Sequence, residues 1–240
     1  MKARLTLEIL SQPDDTTCGP TCLHAVYRHY EDAIPLDQVI KGVASLKGGG
    51  TLAVMLANHA LARGYRATIY TYNLMIFDPT WFEHRQHLKD KLAQRAASVT
   101  DQKQQTAIQA YLHFFELGGR LKLHDLTRAL LRRYLNRGIP ILTGLNSTFL
   151  YRNKRVYGDA MVDDDIRGDV VGHFVVLCGY DRMKRTIRVA DPYAENPYSR
   201  DHFYEAPIDR VVGAILLGVM TYDANFLIIE STKGRRTDGS

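Results

Sequence analysis

The sequence predicts an α+β fold, a helical layer packed on an antiparallel sheet with a cleft between the two. Three observations carry this. Before residue 65, apolar residues recur at helical spacing in three short stretches. After residue 139, compact apolar runs bounded by polar turns read as strands. Two of these, 171–180 and 186–190, are joined by a tight polar turn and should therefore be antiparallel neighbours. Residues 79–137, in between, return to helical periodicity and read as a helical insertion. We expect 1–232 to form a single domain and 233–240 a disordered tail.

The elements follow in order. The first eight residues alternate polar and apolar, like a strand. Residues 18–30 place Cys18, Cys22, Ala25, Val26 and His29 on one helical face, with Thr16 or Thr17 as cap. Pro20 is tolerated there because first-turn amides lack intrahelical partners. Leu36, Val39, Ile40 and Val43 mark a second helix. Gly48-Gly49-Gly50 breaks the chain, and Thr51 should cap a third helix that ends at Gly64. Residues 65–72 read as a strand. Within the insertion, Thr80 and Glu83 form a capping-box pattern ahead of Trp81, Arg85, Leu88 and Leu92. Asp101 can open the next helix, with Ile108, Tyr111, Leu112 and Phe115 inside, and Leu126, Leu130 and Tyr134 mark another. Residues 139–145 are an apolar strand, and 146–170 a long exposed loop suited to a lid. A helix over 208–216 and a strand over 226–229 close the pattern.

A chain of 240 residues buries enough surface to fold without a disulfide or metal staple. Three cysteines, an odd number, point to a reducing, cytoplasmic setting. There is no secretory signal and no apolar run of the ~20 residues a membrane span needs. The net charge of +5 is spread along the chain, and Arg132-Arg133 and Arg235-Arg236 read as a helix face and a tail, so no nucleic-acid partner is expected. No metal or other cofactor is expected either. Cys18, Cys22 and His24 do not converge as a four-ligand site, and the glycine run lacks a phosphate-loop lysine.

The chemistry lies in three separated motifs. Gln12 precedes Cys18 by six positions, Gly172-His173-Phe174-Val175-Val176-Leu177 places a histidine near a strand start, and Asp191-Pro192 ends the next strand. A thiol attacks a carbonyl as its thiolate, which a helix N-terminus and a neighbouring imidazolium both stabilise. Cys18 would be the nucleophile, His173 the base and Asp191 the group that orients it. The Gln12 amide and the Cys18 N–H would hold the oxyanion, where losing one donor typically costs about 10²–10³ in rate. Cys22 reads as packing, and Cys178 falls on the sheet face opposite His173.

Together these motifs resemble papain-like cysteine peptidases, and among them the double-glycine leader peptidases that process bacteriocin precursors. The resemblance covers 9–30, 48–69 and 138–192, and leaves 79–137 and 146–170 without a counterpart. It implies a papain-like fold, the roles just given for Cys18, His173, Asp191 and Gln12, and a peptide or protein substrate cut after small residues such as glycine. Two other readings share these residues. One is a thiol acyltransferase or amide ligase using the same acyl-enzyme; the other is a non-catalytic peptide-binding module. The oligomeric state leaves no mark on the sequence.

Overall fold

A computed structural model describes residues 2–83, 87–158 and 160–232. Its strands are β1 (Lys2–Arg4), β2 (Arg66–Thr71), β3 (Arg120–Lys122), β4 (Ile141–Asn146), β5 (Val156–Tyr157), β6 (Val162–Asp163), β7 (Gly172–Asp181), β8 (Thr186–Ala190), β9 (Phe203–Pro207) and β10 (Asn225–Glu230). Among the described residues, eight of these form one sheet, seven in the order β3-β2-β10-β4-β7-β8-β9 and β1 beside β7 off that path, and β5 and β6 make a separate hairpin. β7 is the longest. β4 pairs with its first part (Leu145 opposite His173), and β1 pairs with its end (Ala3 opposite Tyr180). β8 runs antiparallel along its other edge. Among the described residues, only β3 against β2 is parallel.

Helices cover both faces of the sheet, where one layer was expected. α1 (Cys18–His29), α2 (Leu36–Gly42), α3 (Ala53–Ala62), α4 (Leu88–Ser98) and α5 (Gln102–Glu116) share a core with Phe174, Val176 and Cys178. α6 (Arg128–Asn136), α7 (Ser147–Tyr151) and α8 (Ile208–Leu217) pack on the other face with Val175 and Leu177. β7 thus sends alternate side chains into two cores, which explains its continuous apolar run. The 79–137 segment contributes to both faces and adds β3 to the sheet edge. Among the described residues no helix is long and apolar enough to cross a membrane.

Several local expectations are corrected. The 146–170 stretch is not simply an exposed loop, because it opens with α7, whose Leu150 and Tyr151 are buried, and continues into the β5–β6 hairpin. Thr80 does not cap a helix; Asp78 caps a short 3-10 turn, Pro79–Phe82, and α4 starts only at Leu88. His84, Arg85 and 233–240 lie outside the described residues. Asp101 does cap α5, with its carboxylate accepting from the Gln104 N–H at 2.7 Å. Thr51 donates to the Ala44 carbonyl instead of capping α3. The Ala53 N–H at the start of α3 is taken by Asp223 at 3.0 Å, from 170 residues further along the chain.

α1 and α3 approach closely at Gly19. A Cβ there would lie 2.6 Å from the Thr51 Cγ2 and 3.2 Å from the Phe174 ring. Gly19→Ala is therefore expected to destabilise the protein by about 1–3 kcal/mol, read as a lower urea midpoint with an unchanged slope.

Candidate active site

The start of α1, the start of β7 and the end of β8 meet at one side of the sheet. Cys18 is the first residue of α1 and is nearly buried, at 9 % exposure. Thr17 occupies the capping position, but its hydroxyl donates to the Asp14 carbonyl and accepts from the Asp14 N–H, so it does not cap the helix. The Cys18 N–H has no acceptor among the described residues. An uncapped helix start beside a thiol favours negative charge at that point.

His173, also nearly buried, is held by strand pairing with Leu145 of β4. Its Nε2 hydrogen-bonds the Asp191 Oδ1 at 2.8 Å. The ring interacts with the Cys18 side chain as well, and with Nε2 engaged, Nδ1 is the nitrogen left to meet it. Burial works to lower the pKa of His173, but the charge and hydrogen bond of Asp191, followed by those of Cys18, raise it to about 10.

Asp191 is fully buried, and its carboxylate is saturated. Oδ1 accepts from His173 and from the Tyr193 N–H at 3.0 Å; Oδ2 accepts from the hydroxyls of Tyr151 at 2.5 Å and Tyr204 at 2.8 Å. Burial pushes its pKa up, yet His173 and these donors keep the group below the usual carboxylate range. Its backbone is fixed too, since its N–H donates to the His202 carbonyl and its own carbonyl meets the His202 ring at 2.8 Å.

Sequence reasoning missed three of these partners. Tyr151 fell inside the segment read as a loop. Tyr204 sits on β9, a strand that was not foreseen, although Phe203-Tyr204-Glu205-Ala206 does alternate after a turn-rich stretch. His202 stands outside every motif of the sequence, yet it clamps the Asp191 backbone.

Gln12 lies on the loop before α1. Its N–H donates to the Pro192 carbonyl at 3.0 Å, tying that loop to the residue after Asp191. Its side-chain amide donates to the Asp14 carbonyl at 2.9 Å, which leaves one of the two amide hydrogens uncommitted. The other cysteines are occupied elsewhere. Cys22 is fully buried, its thiol donates to the Phe174 carbonyl at 3.3 Å, and burial raises its pKa well above that of a free thiol. Cys178 is buried against the helical layer, and burial pushes its pKa up to about 11. Among the described residues, no group of three or more His, Cys, Asp or Glu is arranged to hold a metal.

Cys18 and His173 open onto a cavity of about 230 Å³. Gly49 and Gly50 form one wall, and all three glycines of the run have positive φ (93°, 94° and 76°). A Cβ at Gly49 would lie 2.7 Å from the Thr16 Cγ2. Lys103, Thr221 and Asp223 line the same space. Asp223 is almost entirely buried; burial raises its pKa to about 7, while its bonds to the Asn225 amide and the Ala53 N–H work the other way.

Known proteins can now be set beside this arrangement. Residues 4–207 match the model of the Peptidase_C39 like family. No curated protein sequence matches the chain. Among solved structures the chain is similar to a double-glycine motif protease from an AMS/PCAT transporter in complex with the leader peptide, at 15 % identity over 96 % of this chain and 95 % of that one, TM-score 0.46. It is similar to the peptidase domain of Streptococcus ComA, a bi-functional ABC transporter involved in quorum sensing, at 12 % identity over 93 % and 98 %, TM-score 0.43. It is also similar to xylellain, a cysteine protease from Xylella fastidiosa, at 14 % identity over 97 % and 86 %, TM-score 0.46. With the family model spanning most of its length, the chain belongs to the Peptidase_C39 like family and is a cysteine peptidase.

Proposed function

We propose that the chain cleaves peptide bonds through Cys18, with His173 as the base and Asp191 as the group that holds the imidazole in place. The observation carrying this reading is the His173 ring, which has the Asp191 carboxylate as one partner and the Cys18 side chain as the other. The proton of Cys18 passes to His173, and the thiolate attacks the scissile carbonyl. The Cys18 N–H and the uncommitted Gln12 amide hydrogen stabilise the oxyanion. His173 then protonates the leaving amine. Water, activated by the same ring, releases the acyl group from the sulfur.

Small residues, glycine above all, fit the cleavage point. The cavity of about 230 Å³ is narrowed by backbone at Gly49, Gly50 and Gly172. A Cβ at Gly172 would lie 2.7 Å from the Thr221 hydroxyl. A bulky substrate side chain at that level would meet these walls.

Iodoacetamide tests the nucleophile. At pH 6, Cys18 is expected to be alkylated at least about tenfold faster than Cys22 or Cys178, as mapped by peptide mass. Equal, slow labelling of all three thiols would overturn the assignment. Intact mass of the products from blocked Gly-Gly peptides, with and without added hydroxylamine, reads out the fate of the acyl group. Hydrolysis without hydroxylamine supports the peptidase; product formed only with the added amine points to an acyltransferase.

A further inference from the structure

Lys103 enters the cleft from α5, and nothing in the proposed chemistry uses it. It is the second residue of that helix, half-buried, and lines the cavity onto which Cys18 and His173 open. Its Nζ stands 4.5 Å from the centroid of the Tyr222 ring, a cation–π contact that fixes the ammonium on the cleft wall. Among the described residues no carboxylate comes within 4.0 Å of it. Two acidic groups face it from further away: Asp223, next to Tyr222, and Asp101, the cap of its own helix. Both are committed, Asp223 to the Ala53 N–H and the Asn225 amide, Asp101 to the Gln104 N–H.

A lysine on an exposed helix face normally keeps its head group in water. This one is partly desolvated, rests on an aromatic face and points into a substrate-sized cavity without an ion-pair partner. A cation so placed is completed by an anion from the ligand. We propose that Lys103 is a specificity-determining residue that receives a carboxylate of the bound peptide near the Gly-Gly cleavage point. The inference rests on the reading of this cavity as the substrate cleft. It also gives the 79–137 segment a task at the site, since α5 belongs to that segment.

The competing explanation is that Lys103 serves only to offset the buried Asp223. Peptide binding to the Cys18→Ala variant separates the two. The probes are fluorescent Gly-Gly peptides blocked at both ends, with Glu, Gln or Lys scanned through the flanking positions, plus the Gln peptide with a free C-terminus. At the responsive position, the Glu peptide is expected to bind about tenfold more tightly than Gln, and Lys more weakly than Gln. Tight binding of the free-terminus Gln peptide alone would assign the carboxylate to the chain end rather than to a side chain. Adding Lys103→Met should erase the Glu preference and leave the Gln peptide unchanged, while Lys103→Glu should invert the order. Asp223→Asn, which removes an opposing charge, should tighten Glu binding further. The same affinity for all peptides, an equal loss for all of them in Lys103→Met, or no binding at all would each overturn the proposal. Charge-ordered binding beside a wild type that cleaves none of the peptides would sink the peptidase reading while this inference stands. Cleavage without charge order would do the reverse.

Discussion

His173→Ala is expected to lower kcat/KM for a cleaved Gly-Gly peptide by about 10⁴, close to the loss in Cys18→Ala, because residues acting as one unit fail together. In the proposed chemistry the ring takes the thiol proton, and among the described residues no other imidazole lines that cavity. The loss should appear in kcat more than in KM, since His173 acts on the reacting atoms. Iodoacetamide labelling of Cys18 at pH 6 should slow in parallel. An activity within tenfold of wild type would end the assignment of His173 as base. The pH profile carries a second signature. The imidazolium, with its pKa raised to about 10, is present through the neutral range and is lost as pH rises through that value. Activity should therefore hold well into the alkaline range. Asp191→Asn, which removes the largest influence raising that pKa, should draw the alkaline limb towards neutrality.

Asp191→Ala is expected to cost about 3–5 kcal/mol of stability, measured by urea unfolding at pH 7. The substitution strands a buried imidazolium and deprives the Tyr151 and Tyr204 hydroxyls and the Tyr193 N–H of their acceptor. The signs of the two pKa shifts define the window in which this stabilisation operates. His173 is raised, so its contribution is complete below its unfolded value near 6.5 and is lost as pH rises through about 10. Asp191 is depressed, so its contribution is present above the ordinary carboxylate value of 3.8 and fades as pH falls through its lower folded value. The difference in stability between wild type and Asp191→Ala should therefore be widest between these limits and shrink at both ends. A flat difference across pH 3–10 would mean that the network holds the fold by packing alone.

The parts of the candidate site that depend on local pattern were legible in the sequence. Cys18 opens an amphipathic helix, His173 stands at the head of an apolar run, and Asp191 precedes a proline; each has a signal within a few residues. The supports of Asp191 have none. Tyr151 and Tyr204 reach the carboxylate from 40 and 13 residues away, and their burial follows from tertiary packing, which periodicity does not report. Capping failed in the same way. Thr51 and Thr17 have the right chemistry and position for local caps, but one hydroxyl is drawn to Ala44 and the other to Asp14. The α3 amide is satisfied instead from the far end of the chain. The two-sided sheet was only half legible, because a continuous apolar strand implies two covered faces without naming the second cover.

The position of β10 has a consequence for when the enzyme can exist at all. It is the last strand of the described chain, yet it lies in the interior of the sheet, with β2 on one side and β4 on the other. The β2–β3 half and the β4–β7–β8–β9 half are joined in the sheet only through it. During synthesis, Cys18 is made early, together with the helices behind it, but those helices have no finished floor to rest on until 225–230 leave the ribosome. Asp223, which closes the start of α3, arrives in the same few residues. The two halves of the sheet are thus joined only once residues 225–230 have been made, and a chain stopped short of residue 225 would lack both that strand and the floor it gives α3.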